Sequence, residues 1–148
     1  MTSKPQPRVE VRRIATPVDL EKAFEIRRRV FLMEQNVPQD EEFDEDDKKA
    51  LHVLAVVDGK AVATGRLVFR EEYARVGRMA VLAEHRAHGL GRAILQELVH
   101  AATERGVRRI VLHAQVHAIG FYQAFGFQAS GEVFEEAGIP HRVMERIT

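Results

Sequence analysis

Residues 78–95, Arg78-Met79-Ala80-Val81-Leu82-Ala83-Glu84-His85-Arg86-Ala87-His88-Gly89-Leu90-Gly91-Arg92-Ala93-Ile94-Leu95, read as a β-strand that passes through a short glycine-bearing loop into an amphipathic helix. Gly89 and Gly91 can take backbone angles closed to other residues and let a ligand approach the main chain. The first turn of the helix adds unpaired N–H donors and a partial positive charge, so the stretch forms a cradle for a phosphate-type anion. A further strand follows at residues 108–112, which implies one crossover between parallel neighbours and puts the cradle at the carboxyl end of a strand.

The rest of the chain arranges itself around that unit. Residues 1–7 hold little to bury and read as a flexible leader, leaving 8–148 as a single domain large enough for a substantial core. Residues 9–14 alternate apolar and polar like a half-buried strand. Thr16 and Pro17, with Asp19 in the first turn, then start a helix with Leu20, Ala23, Phe24, Val30 and Phe31 inward and Arg27 to Arg29 as its wet side. The pre-proline Val37 ends it.

An acidic run follows, from Asp40 to Asp47, and reads as a solvated surface loop. It lacks the glycine and the spaced glutamate of a calcium loop, and a collar attracting a cationic substrate is its sharper alternative. Residues 51–57 and 61–69 flank Asp58-Gly59 as a hairpin, and residues 73–82 complete an antiparallel meander. Gly65 marks a bulge or a backbone approach to ligand. Leu90, Ile94, Leu95, Leu98, Ala101 and Ala102 form the inward stripe of the cradle helix, which Gly106 stops. A short helix with Ala118, Phe121, Tyr122 and Phe125 comes next, then strands at 127–134 and 142–147 linked through Ala137-Gly138-Ile139-Pro140. The expected architecture is a single-domain α/β (α+β) fold: a mixed, mostly antiparallel seven-stranded sheet flanked by helices.

Composition narrows the chemistry. Lys plus Arg and Asp plus Glu are 22 each, which removes the overall electrostatic footprint expected for nucleic acid or an anionic membrane. There is no cysteine, hence no thiolate metal site and no cysteine nucleophile, and no metal is expected. Without a membrane-length apolar run or secretory pattern, the chain is expected in the cytoplasm.

Arg86-x-x-Gly89-x-Gly91 between strand and helix, with Phe121-Tyr122-x-x-x-Gly126-Phe127 some thirty residues later, resembles the signature of the GCN5-related N-acetyltransferase (GNAT) family. Val30-Phe31-x-x-Glu34-Gln35, Ala114-Gln115 and Gly138-Ile139-Pro140-His141 are similar to the ElaA-like branch. The resemblance implies the GNAT fold, with acetyl-CoA as co-substrate lying between two strands that splay apart. Backbone groups of Met79, Ala80 and Val81 would pair with the pantetheine arm, and main-chain amides from Arg86, Ala87, His88, Gly89, Leu90, Gly91 and Arg92 would hold the diphosphate. His117, preceded by Gln115, stands where many members have a pantetheine-binding asparagine. Family members often dimerise, so a homodimer is a further expectation.

The implied activity is acetyl transfer to a primary amine of a small molecule or peptide, by direct attack in a ternary complex. An amine of pKa ~10.4 must be presented neutral, while a thiolate of pKa nearer ~8.5 needs only a modest acid. Tyr122 occupies the family position for that acid. Glu34 is the first candidate base and His141 the second. Two other readings compete: a non-catalytic acyl-CoA sensor on the same fold, and a nucleotide-binding regulator, which lacks the P-loop lysine and the full dinucleotide fingerprint.

Overall fold

Seven strands form one sheet in the computed structural model, which describes residues 6–148. They are β1 (Val9–Arg13), β2 (Leu51–Val57), β3 (Lys60–Phe69), β4 (Ala74–Val81), β5 (Arg109–Gln115), β6 (Gln128–Glu136) and β7 (Ile139–Ile147). Their order is β1-β2-β3-β4-β5-β7-β6, and only β4 and β5 run parallel. Residues 1–5 of the expected leader lie outside the described residues; Gln6 and Pro7 are exposed and precede β1.

Helix α1 (Pro17–Arg27) begins as its sequence requires, with the Thr16 hydroxyl accepting the Asp19 N–H at 3.2 Å. It does not stop at Arg27 but widens into a π-helical turn over Arg28–Glu34, closed by Gln35 N–H donating to Val30 O at 3.0 Å. Asn36, with φ 59°, turns the chain out ahead of Pro38. Two-residue turns in the left-handed region join β2 to β3 (Asp58 φ 49°, Gly59 φ 82°) and β6 to β7 (Ala137 φ 52°, Gly138 φ 75°). Such turns match strand twist, so β7 extends back to Ile139, takes in Ile139 and Pro140 of the expected linker, and leaves Ala137 and Gly138 as the turn.

Helix α3 (Leu90–Glu104) buries Leu90, Ile94, Leu95, Leu98, Ala101 and Ala102, the stripe its periodicity predicts. At Gly65 the expectation is half corrected. The bulge lies on the facing strand: Thr64 pairs with Ala80 and Arg66 with Gly77, so Arg78 and Met79 together oppose Gly65. Gly65 faces α3 instead of a ligand. A Cβ there would sit 2.7 Å from Ile94 Cγ2 and 3.0 Å from Leu98 Cδ1.

Two further expectations are overturned. Arg27 is not on a wet face: it is 1% exposed, and its guanidinium reaches Glu42 Oε1 and Asp47 Oδ1, both at 2.7 Å, and Glu42 O at 2.8 Å. Nor is the acidic run simply a solvated loop. It forms α2 (Gln39–Glu42) and a 3-10 turn (Glu45–Lys48), with Glu42 and Asp47 buried. Arg66 binds Asp44 at 2.7 Å and Asp47 at 2.8 Å, while Arg78 donates to Glu42 O at 2.9 Å. Three arginines from α1, β3 and β4 thus dock the segment onto the sheet, and the Phe43 ring lies under Arg27 at 4.7 Å. Periodicity counts an arginine as polar and outward; it cannot see carboxylates arriving from fifteen to twenty residues away.

Candidate functional site

β4 and β5 stay paired through only three residue pairs, ending at Val76 and Leu112. The β4 bulge, with Arg78 at φ 53°, bends that strand away, and the two strands separate into a fork. Met79, Ala80 and Val81 lie along one arm, and His113 and Gln115 along the other. A cleft of about 850 Å³ opens between them.

At the open end of the fork, beyond Val81, stands the cradle. Gly89 caps α3 at φ 78°, and the first helical hydrogen bond runs from Ala93 N–H to Gly89 O at 3.1 Å. The amides of Leu90, Gly91 and Arg92 therefore have no acceptor within the helix. Ala87, at φ 66°, is a second left-handed residue just upstream. Of the two glycines only Gly89 uses its conformational freedom. Gly91 is helical, and a Cβ on it would make ordinary contacts with Phe121 Cζ at 3.7 Å and Val81 Cγ2 at 3.8 Å. Side chains here are engaged elsewhere or exposed: the Arg92 guanidinium lies 5.5 Å from the Phe125 ring centre, and His88 is exposed. The donor set is thus main chain, which suits a diphosphate.

The π-helical turn closes the cleft from above. Arg86 donates to both oxygens of Glu34, at 2.5 and 2.6 Å, and its Nε to Val81 O at 3.0 Å. Gln115 Nε2 donates to Gln35 Oε1 at 3.0 Å. Adjacent residues of one turn therefore reach both arms of the fork. Arg86 holds the Glu34 carboxyl below the usual range, which makes Glu34 a weak proton acceptor in this arrangement. Gln115 is committed by its bond to Gln35; His117 lines the cleft and is exposed.

Tyr122, on α4 (Ile119–Gln123), faces the cleft with Phe121 and Phe127 against its ring, at 5.0 and 6.1 Å between centres. Burial pushes its phenol up to about 12, so it carries its proton throughout the neutral range. On the opposite side His141, 7% exposed, donates Nδ1–H to Ile139 O at 2.6 Å. Its Nε2 lies 3.7 Å from Glu136. Two more groups complete this corner, His113 of β5 and Arg75 of β4, and with Glu136 they are the residues the sequence reading missed. A signal was present: His113 interrupts the apolar strand Ile110-Val111-Leu112, where a polar side chain requires a partner.

Among the described residues no group of three or more His, Cys, Asp or Glu side chains is placed to hold a metal ion, and no helix is long and apolar enough to cross a membrane.

The family model for the acetyltransferase (GNAT) domain matches residues 15–148. The uncharacterized N-acetyltransferase YjcF of Bacillus subtilis is 38% identical over 126 residues, covering 84% of this chain and 90% of that one. The crystal structure of Escherichia coli ElaA superposes with a TM-score of 0.83 at 29% identity, covering 94% and 99% of the two chains. That of an acyl-CoA N-acyltransferase from Pseudomonas aeruginosa gives the same TM-score and identity over 95% and 99%. With a forked β4–β5 pair, a main-chain cradle on α3 and a family match spanning nearly all of its length, the chain belongs to the GNAT acetyltransferases.

Proposed function

We propose that this N-acetyltransferase uses acetyl-CoA to acetylate a primary amine of a small molecule or peptide, by direct attack in a ternary complex. The observation that carries the reading is the fork: β4 offers β5 no partner over Met79–Val81, and α3 presents free amides at the open end. A pantetheine arm would extend along that edge, and the amides of residues 86–92 would take the diphosphate, with His117 beside the arm. Acetyl-CoA held by these residues would supply an activated acyl group. Tyr122 would donate its proton to the departing thiolate.

Glu34 is assigned here to closing the cleft through Arg86 and not to proton transfer, because both its oxygens are occupied. His141 stands at the acceptor end with Nδ1 fixed by Ile139 O, which leaves Nε2 to face Glu136. The acceptor would enter between the β6–β7 turn and the docked acidic segment, where Glu41 lines the cleft. Release of free CoA thiol in a panel of primary amines tests the proposal. Acceptor-dependent release is expected; binding of acetyl-CoA without turnover on any amine would favour a sensor.

A further inference from the structure

Where β5, β7 and β6 lie side by side, strand pleat gathers one set of side chains. His141 of β7 pairs with Gln115 on β5 and with Phe134 on β6, so these three share a face, joined two residues along by His113 and Glu136. His113, Gln115, Glu136 and His141 line the cleft from that face. Phe134 braces both imidazoles: His113 meets its ring edge-on at 5.2 Å between centres, and His141 stacks on it at 6.0 Å.

The neighbours of each ring place its hydrogens. Arg75 Nη2, which can only donate, lies 2.9 Å from His113 Nδ1, so that ring carries its hydrogen on Nε2. Ile139 O, which can only accept, lies 2.6 Å from His141 Nδ1, so a neutral His141 carries its hydrogen on Nδ1 and leaves a bare lone pair on Nε2. That lone pair faces Glu136 Oε2 at 3.7 Å. The carboxylate also can only accept, and Arg75 Nη2 approaches its other oxygen at 3.5 Å. Two acceptors therefore confront each other, and neither has a hydrogen-bond donor among the described residues. Protonating His141 would not join them, because 3.7 Å is too long for a hydrogen bond. His141 is only 7% exposed, and a buried ring nitrogen opening onto a cleft calls for a partner.

We propose that Glu136 Oε2 and His141 Nε2 form the site for the acceptor's ammonium group, so that the enzyme selects amines that arrive protonated. The inference rests on the acetyl-transfer reading in taking that ammonium for the acceptor. A nitrogen about 2.9 Å from both atoms sees them roughly 80° apart, so two N–H bonds of a tetrahedral ammonium reach them with a bend of about 15° each. The carboxylate supplies opposite charge and the imidazole a second direction. An alcohol of the same skeleton brings one donor and no charge. Arg75 stays on the Oε1 side, turned toward His113, where it orients the carboxylate without covering Oε2. Since the ammonium is held before chemistry begins, losing the site falls on KM more than on kcat.

Binding and turnover test this separately. Protein saturated with coenzyme A is titrated in a calorimeter with phenethylamine and hexylamine, each against the alcohol of the same skeleton. In at least one pair the amine is expected to bind ~10-fold or more tighter than its alcohol, and Glu136→Gln to abolish that preference by weakening the amine alone, as loss of a hydrogen bond to a charged group implies. No preference in either pair, or a preference that survives Glu136→Gln, overturns the inference. Long-range ¹H–¹⁵N spectra of the imidazoles need no variant. In mildly alkaline buffer His141 is expected as Nδ1–H, with an Nε2 signal that moves as the amine binds and stays in place with the alcohol. A hydrogen on Nε2 of His141, or a signal unmoved by a bound amine, also overturns it. In steady state, Glu136→Gln should raise KM for the amine ~10-fold or more with less than about a threefold change in kcat. Thiol release with an unchanged KM refutes the ammonium site and leaves acetyl transfer standing. Amine binding as expected without thiol release from any amine supports the site and removes the acetyl-transfer reading instead.

Discussion

A phenol confined to an apolar wall is a poor acid at rest and a useful one when a thiolate forms beside it. Tyr122 is packed by Phe121 and Phe127, and its pKa of about 12 means that it does not ionise before the sulfur departs. Tyr122→Phe keeps that packing and removes only the proton. It should lower kcat by ~10-fold to ~10²-fold, toward the low end for acid–base catalysis, while leaving the affinity for acetyl-CoA within about twofold. Parallel turnover and calorimetric titrations check this, and a folded Phe variant with near-normal kcat would remove the assignment. Residues whose part depends on local context were legible in sequence: Thr16 before Pro17 set a helix start, and Tyr122 lay in a recognisable segment. Arg27, Arg75 and Glu136 were not, because each takes its meaning from a partner on another element. Glu34 illustrates both cases, since its position at the cleft was foreseeable and its capture by Arg86, 52 residues away, was not.

At the level of elements, the acidic segment is held to the sheet by charge in place of apolar area. Hydrogen bonds from Arg66 hold the Asp44 carboxyl below its usual range; for Asp47, desolvation opposes ionisation, but hydrogen bonds from Arg27 and Arg66 outweigh it. Glu42 goes the other way, its carboxyl pushed up by burial. A depressed folded pKa contributes stability that is present above the unfolded value near ~3.9 and lost as pH falls through the folded one. Glu42 offsets part of that loss. Thermal melts should therefore show the melting temperature falling steadily below about pH 4, with little response to added salt at neutral pH because the pairs are buried. Strong salt sensitivity at pH 7 would show that the network is exposed in solution. Truncating Arg27 to Ala removes one cationic partner from each of two buried carboxylates, leaving Asp47 to Arg66 and Glu42 to Arg78, and should cost ~3–5 kcal/mol in denaturant unfolding.

The cradle helix owes its position to a missing side chain. Because a Cβ on Gly65 would meet Ile94 and Leu98 at 2.7 and 3.0 Å, α3 lies closer to β3 than any other residue allows. Gly65→Ala is expected to destabilise the fold by ~1–3 kcal/mol through overpacking, and to weaken CoA binding because the helix carries the cradle outward. An unchanged denaturation midpoint would contradict that packing. The sequence marked Gly65 as special but could not say which face needed the space.

Across the whole molecule, the order of elements was the most readable property. A strand, a helix and a meander precede the cradle helix, and the β6–β7 hairpin inserts β7 beside β5, leaving β4–β5 as the one parallel pair. That pair follows from the crossover through α3, which the sequence announced. The fork was expected only through the family resemblance: it depends on the β4 bulge and the left-handed Arg78, and no local pattern marks either. The cleft is what the rest of the fold supports, and its central claim is that main-chain amides at the start of α3 grip a diphosphate. Titration of the folded protein with coenzyme A in an isothermal calorimeter tests that claim most directly. The account predicts saturable one-to-one binding that is weakened at least tenfold when Gly89 is replaced by Val, and it is contradicted if the wild-type protein shows no binding heat at millimolar coenzyme A.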